Sequence, residues 1–246
     1  MSEYIRSPLV RTLYAKLEHQ QSHANNKHQD WYVIRERYLN PAILEAFVQS
    51  FQDEETETFL SNCFMKSDWI FTHFYHAIAK ALLTWFMSAT SVNGLLGRGS
   101  MFVLSSAQFA KLLNIPMDCK LNTLLDLGAG DGLVTSKLAP FFHDVYVTEL
   151  SGPMRRRLVE RGFKLLDPDQ WSSSPDHKPL ETLDVAHSDI WENQLDDLVR
   201  HVFEPIGFVL EKWTRVPYLC EGDFSQSFYY LNDVVFVLRV QSTAPG

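Results

Sequence analysis

The sequence predicts an α/β fold in which a parallel sheet with right-handed crossovers follows a helical N-terminal extension. Three observations carry this expectation. From about residue 120, short apolar runs alternate with helical stretches in the order β-α-β-α-β, the order that builds a parallel sheet. The first of these runs ends in a glycine-rich turn. Residues 41–113 read instead as successive helices.

Composition fixes the class. The chain has 246 residues, 46% apolar and 21% charged, with 11 glycines and 11 prolines. These values exclude collagen-like, low-complexity and broadly disordered chains. A net charge of −8 argues against a protein that holds nucleic acid through its backbone phosphates. Cys63, Cys119 and Cys220 are odd in number and far apart, so they are expected as reduced thiols rather than a disulfide framework or zinc knuckle.

Residues 18–30 lack apolar periodicity and read as a linker. Pro41 opens a helix over 41–48. The acids at 53–57 open the next, where they favour the helix dipole. The apolar stretch 69–87 carries a polar stripe, Thr72, His76, Lys80 and Thr84, and is expected as a helix buried on most of its surface rather than a membrane span. His73 and His76 are expected to be structural rather than metal ligands, because no acidic or cysteine partner accompanies them. A glycine-punctuated loop covers 93–100, and a helix starts at 105. The run 123–127 fits a strand buried on both faces. Helix 133–138, strand 144–148, helix 153–161 closed by Gly162, and strand 163–166 follow. Arg155, Arg156 and Arg157 are expected on a solvated face. Residues 207–213 and 234–240 are expected as an antiparallel pair joined by polar loop chemistry.

The motif that carries chemistry is Asp126-Leu127-Gly128-Ala129-Gly130-Asp131-Gly132, between a predicted strand and a predicted helix. Its glycines let a ligand approach the backbone closely. It departs from the dinucleotide fingerprint, whose third glycine would fall where Leu133 stands. Asp126 puts a carboxylate in the loop, which disfavours a pyrophosphate and suits a cationic or hydroxyl-rich ligand. Glu149 closes the second strand, 21 positions after Gly128, a spacing at which an acid accepts hydrogen bonds from ribose hydroxyls. Together these features point to a nucleoside ligand without phosphates, such as S-adenosylmethionine.

The loop followed by Thr148-Glu149-Leu150 resembles the S-adenosylmethionine-dependent methyltransferases, which have a Rossmann-like sheet. Residues 6–11 (Arg-Ser-Pro-Leu-Val-Arg), 93–103 (Asn-Gly-Leu-Leu-Gly-Arg-Gly-Ser-Met-Phe-Val) and 215–223 (Arg-Val-Pro-Tyr-Leu-Cys-Glu-Gly-Asp) resemble the DREV, or methyltransferase-like 9, family. The resemblance implies methylation of a protein histidine at its pros nitrogen, in substrates where histidines alternate with small residues (His-x-His). It implies Asp126, Gly128, Gly130, Asp131, Glu149 and Leu150 as cofactor-binding residues. Tyr218 is the expected catalytic and substrate-contacting residue, with Arg98 a second substrate contact. Glu221 and Asp223 are expected as solvated turn residues. No metal is expected.

The sequence divides into a helical extension over 1–100 and a methyltransferase-like domain over 101–246, shortened around 172–195. Residues 120–240 are few for a complete sheet, since each βαβ unit takes about 30 residues. The family's fourth strand ends in an Asn- and Asp-bearing stretch with no counterpart here. Residues 183–186 are expected as its stub, and Asp189 is the nearest acid. The loss would leave unpaired sheet edges, so a catalytically impaired, protein-binding relative is the alternative expectation. The remaining expectations are a monomer acting on protein substrates, without nucleic acid or a membrane span. The cytoplasm is the default location, with the endoplasmic reticulum or mitochondrion as alternatives if a targeting segment is missing.

Overall fold

A computed structural model describes residues 29–67, 70–166, 185–187, 191–222 and 226–241. The expected linker over 18–30 lies almost wholly outside them, as do Asp189 and Asp223.

The N-terminal part is helical. Helix α1 (Pro41–Glu45) starts where Asn40 accepts the Ala42 N–H at 3.0 Å, an N-cap that satisfies an otherwise orphan donor. Helix α2 (Glu54–Ser67) is capped by Asp53, whose carboxylate takes the Thr56 N–H at 3.0 Å. Helix α3 (Ile70–Leu83) and helix α4 (Ala89–Leu95) follow. Helix α3 departs from expectation. Tyr75, Ile78, Leu82, Trp85 and Phe86 are exposed along it and its C-terminal turn. Its apolar face is therefore not the buried one the sequence predicts, because among the described elements it packs chiefly on α4. No helix among the described residues is long and apolar enough to cross a membrane.

Strand β1 (Met101–Phe102) and helix α5 (Ser106–Leu113) lead into the sheet region. Ser105 and Gln108 form a reciprocal capping box at the start of α5. Strand β2 (Leu121–Leu127), helix α6 (Leu133–Leu138), strand β3 (Phe142–Thr148), helix α7 (Gly152–Glu160) and strand β4 (Lys164–Leu165) then alternate as expected. They form a parallel three-stranded sheet of order β2-β3-β4.

The rest of the chain builds a second, antiparallel sheet of order β1-β6-β7-β5. Strand β5 is Val185–His187, helix α8 is Trp191–Leu198, and strands β6 (Phe208–Glu221) and β7 (Phe228–Val240) form a long hairpin. The hairpin runs further than the two predicted strands, because residues 214–221 continue to pair with 228–235. The expected stub, 183–186, falls partly in β5. It pairs antiparallel with β7 rather than beside β2. No described strand pairs with the outer edge of β2. That strand is half-buried with Leu127 exposed, not buried on both faces as the apolar run implies.

Two apolar cores hold these parts together. One gathers Phe102, Leu104, Leu112, Phe141, Val216 and Leu219 where α5, α6 and the hairpin meet. The other surrounds Trp213, with Ile43, Leu195, Phe203 and Phe236. The Trp213 ring donates to the Ile43 carbonyl at 2.6 Å, and its backbone bonds Ala46 and Val48 on both sides. Residues 43–48 are thereby stitched onto β6.

Candidate cofactor and substrate site

The loop after β2 is built by its glycines. Gly128, Gly130 and Gly132 all have positive φ, at 74°, 56° and 76°. That region is open to glycine at little cost. Around Gly128 nothing stands within 4 Å of where a Cβ would be, so a ligand can lie against the backbone there. Gly132 is confined instead: a Cβ would come within 2.6 Å of the Leu158 side chain on α7. Thr148, at the end of β3, fixes the start of the loop. Its carbonyl accepts the N–H groups of Gly128 and Ala129, both at 3.0 Å.

Glu149 is buried and its carboxylate is held between two backbone donors. Gly130 N–H reaches Oε2 at 2.9 Å and Ser151 N–H reaches Oε1 at 2.7 Å. Each oxygen keeps a second lone pair for a ligand hydroxyl. The next residue, Leu150, is 88% exposed. With exposed Leu127 it offers apolar surface beside the loop.

Asp126 accepts the Thr135 hydroxyl at 2.6 Å. Burial, and then the nearby Glu149 carboxylate, hold Asp126 above the usual carboxylate range; the Thr135 bond pulls the other way. Asp131 turns inward. Its carboxylate takes the Ser100 hydroxyl at 2.9 Å, the Leu133 N–H at 3.2 Å and the Arg161 guanidinium at 3.4 Å, with Arg157 at 3.9 Å. Arg157 therefore faces the back of the loop rather than only solvent, as the sequence led us to expect. Arg155 does likewise, donating to the Glu149 carbonyl at 3.5 Å.

Tyr218 is not in a loop, as expected, but within β6, paired with Leu231. Its hydroxyl donates to the Met101 sulfur. Burial pushes its phenol well above the ordinary tyrosine range. Arg98 does not reach outward. Its guanidinium donates to the Gly222 carbonyl, lies 3.5 Å from the Glu221 carboxylate and 3.4 Å from His76 Nδ1. Glu221 is correspondingly not a solvated turn residue: its side chain is 3% exposed and also lies 3.4 Å from Lys66.

The structure thus brings Asp126, Gly128, Gly130, Asp131, Glu149 and Leu150 to one loop, with Tyr218 joined to it through Met101. Ser100, Met101 and Thr135 were missed as site residues. Ser100 and Met101 stand in the glycine-punctuated stretch, and Thr135 lies three residues into the helix after the loop. Those positions are the only signals the sequence offers for them.

The site is thus a parallel β-α-β unit with an acid-bearing glycine turn at the end of its first strand. The DREV methyltransferase family model matches residues 31–178 and 172–240, which together span most of the sequence. The chain belongs to the DREV methyltransferase family. Among solved structures it is similar to PH1948 of Pyrococcus horikoshii, described as a "putative RNA methyltransferase", with 13% identity over 48% of this chain and 75% of that one and a TM-score of 0.36.

Proposed function

We propose that this chain is an S-adenosylmethionine-dependent protein-histidine methyltransferase with a Rossmann-like core, acting at the pros nitrogen of His-x-His segments in protein substrates. The observation that supports the cofactor best is the loop itself. It combines open backbone at Gly128, the Glu149 carboxylate fixed by two N–H groups, and the exposed leucines Leu127 and Leu150. These residues fit an adenosine: the carboxylate for the ribose hydroxyls, the leucines for the flat faces of the base. S-adenosylmethionine supplies an electrophilic methyl on a sulfonium and leaves as the neutral thioether.

The protein's own tasks follow from the acceptor. A neutral imidazole has a lone pair on one nitrogen and a proton on the other. Near pH 7 most imidazole is neutral, given an unperturbed pKa of about 6.5. The site must hold the proton-bearing nitrogen so that the other attacks in line. Tyr218 is the candidate contact: its hydroxyl donates to the Met101 sulfur, which leaves the oxygen's lone pairs to accept the ring N–H. The nitrogen–carbon bond forms as the carbon–sulfur bond breaks, and the methylated ring then loses a proton to solvent. The histidine specificity rests on the family resemblance of residues 93–103 and 215–223.

A second reading is a non-catalytic relative that binds proteins. The unpaired edge of β2 and the split into two sheets favour it, since no described strand bridges the cofactor loop's sheet to the hairpin. Methyl transfer from labelled S-adenosylmethionine to a His-x-His peptide, against the same peptide with alanines, separates the two. Transfer to the histidine peptide alone supports the enzyme. Cofactor binding without transfer supports the second reading, and no binding overturns the first.

A further inference from the structure

Residues 98–101 touch both sides of the candidate site. We propose that Ser100 is a positioning residue that couples the state of the glycine loop to the Tyr218–Glu221 end of β6. One residue makes both connections. Its hydroxyl donates to Asp131 at 2.9 Å, and its carbonyl accepts the Glu221 N–H at 2.9 Å. Asp131 in turn receives the Leu133 N–H at 3.2 Å, at the first turn of α6. The neighbours of Ser100 reinforce the link. Arg98 holds the Gly222 carbonyl and the Glu221 carboxylate. Met101 lies between the two sides: its terminal methyl is 3.2 Å from where a Gly130 Cβ would stand, and its sulfur receives the Tyr218 hydroxyl.

The segment is also held from behind. Helix α4, which leads into it, packs on α7 through Ser91 and Ser151, whose hydroxyls are 3.1 Å apart. A ligand that orders the loop fixes Asp131, and through Ser100 it fixes the Glu221 amide. Order at one site then lowers the entropic cost of ordering the other, which is cooperativity without a change of shape. The ligand-bound half of this inference rests on the cofactor reading above; the ligand-free half does not.

Amide hydrogen exchange on the full chain tests both halves, with Ser100→Ala, Ser100→Thr and the unchanged protein. Without ligand, Ser100→Ala is expected to speed exchange at the Glu221 and Leu133 amides by roughly tenfold, the effect of losing a hydrogen bond to a charged acceptor. Ser100→Thr, which keeps the hydroxyl, restores both. The far end of the hairpin, at Val209 and Leu238, stays unchanged. Wild-type rates at Glu221 in Ser100→Ala, or equal acceleration at the far end, overturn the proposal. With S-adenosylmethionine, the unchanged protein is expected to slow exchange at both the loop and Glu221, and Ser100→Ala at the loop alone. Persisting protection of Glu221 in Ser100→Ala overturns the coupling. If S-adenosylmethionine protects no amide in the unchanged protein, the cofactor reading fails, while the ligand-free comparison still decides the role of Ser100.

Discussion

Gly132 and Gly162 invite a paired test of how tightly the glycine loop is packed. Both have left-handed backbone, at φ 76° and 85°. Alanine at either site carries the steric cost of that conformation, about 1–2 kcal/mol. At Gly162 nothing lies within 4 Å of the added Cβ, so the cost ends there. At Gly132 the Cβ meets Leu158 at 2.6 Å, Phe163 at 3.0 Å and Arg161 at 3.3 Å. Leu158 is fully buried and has little room to withdraw, so overpacking adds about 1–3 kcal/mol. Gly132→Ala should therefore cost roughly 2–5 kcal/mol and Gly162→Ala roughly 1–2 kcal/mol. In a chain of this size each kcal/mol lowers Tm by about 2–4 °C. Urea denaturation followed by tryptophan fluorescence, beside a thermal melt, reads both variants. If Gly132→Ala is no more destabilising than Gly162→Ala, α7 does not press on the loop and the steric argument is wrong.

Three further outcomes are expected. Glu149→Ala should weaken S-adenosylmethionine binding at least tenfold by calorimetry, since a charged acceptor contributes about 1.5–3 kcal/mol; unchanged affinity would remove Glu149 from the site. Asp126 has a folded-state pKa above its unfolded value, so its contribution to stability is present at low pH and lost as pH rises through the folded pKa. Asp126→Asn should thus gain stability relative to the unchanged protein as pH rises from about 4 toward 7, and a gain largest at low pH in pH-resolved urea melts would contradict the burial argument. Burial raises the Cys63 thiol to about 12 and the Cys220 thiol to about 11, so both should resist alkylation at pH 8 until the protein unfolds. Rapid native labelling of either, mapped by mass spectrometry, would show that the hairpin core opens.

Much of the fold is legible in the sequence because it is local. The glycine loop, the β-α-β-α-β order and the helix that starts near Ser105 each depend on residues a few positions apart. The position of Glu149 against the glycine loop is legible for the same reason, since strand, turn and acid follow at a fixed spacing. What failed depends on distant partners. The apolar run of α3 reads as a core helix, yet only the elements available to cover it decide whether it is buried. The run at β2 reads as a central strand, yet its outer edge has no described partner. Tyr218 and Glu221 read as turn residues because Pro217, Gly222 and nearby polar residues suggest a loop. Their strand pairing comes from residues 228–235, and the burial of Glu221 comes from Arg98, 123 positions earlier in the chain. Asp131 stands in the glycine loop as expected, while its partners Ser100 and Arg161 lie about 30 positions away and are not legible from local pattern.

The contact between Trp213 and Ile43 has a consequence for synthesis. The two residues are 170 positions apart, and a ribosome adds about 5–20 residues per second. Helix α1 therefore waits about 10–30 s before the tryptophan that covers it has been made. During that interval the nascent chain shows Ile43 and Phe47 to whatever holds it. A release or stall before β6 leaves α1 and Phe47 without that cover, so loss of the hairpin exposes an element made long before it.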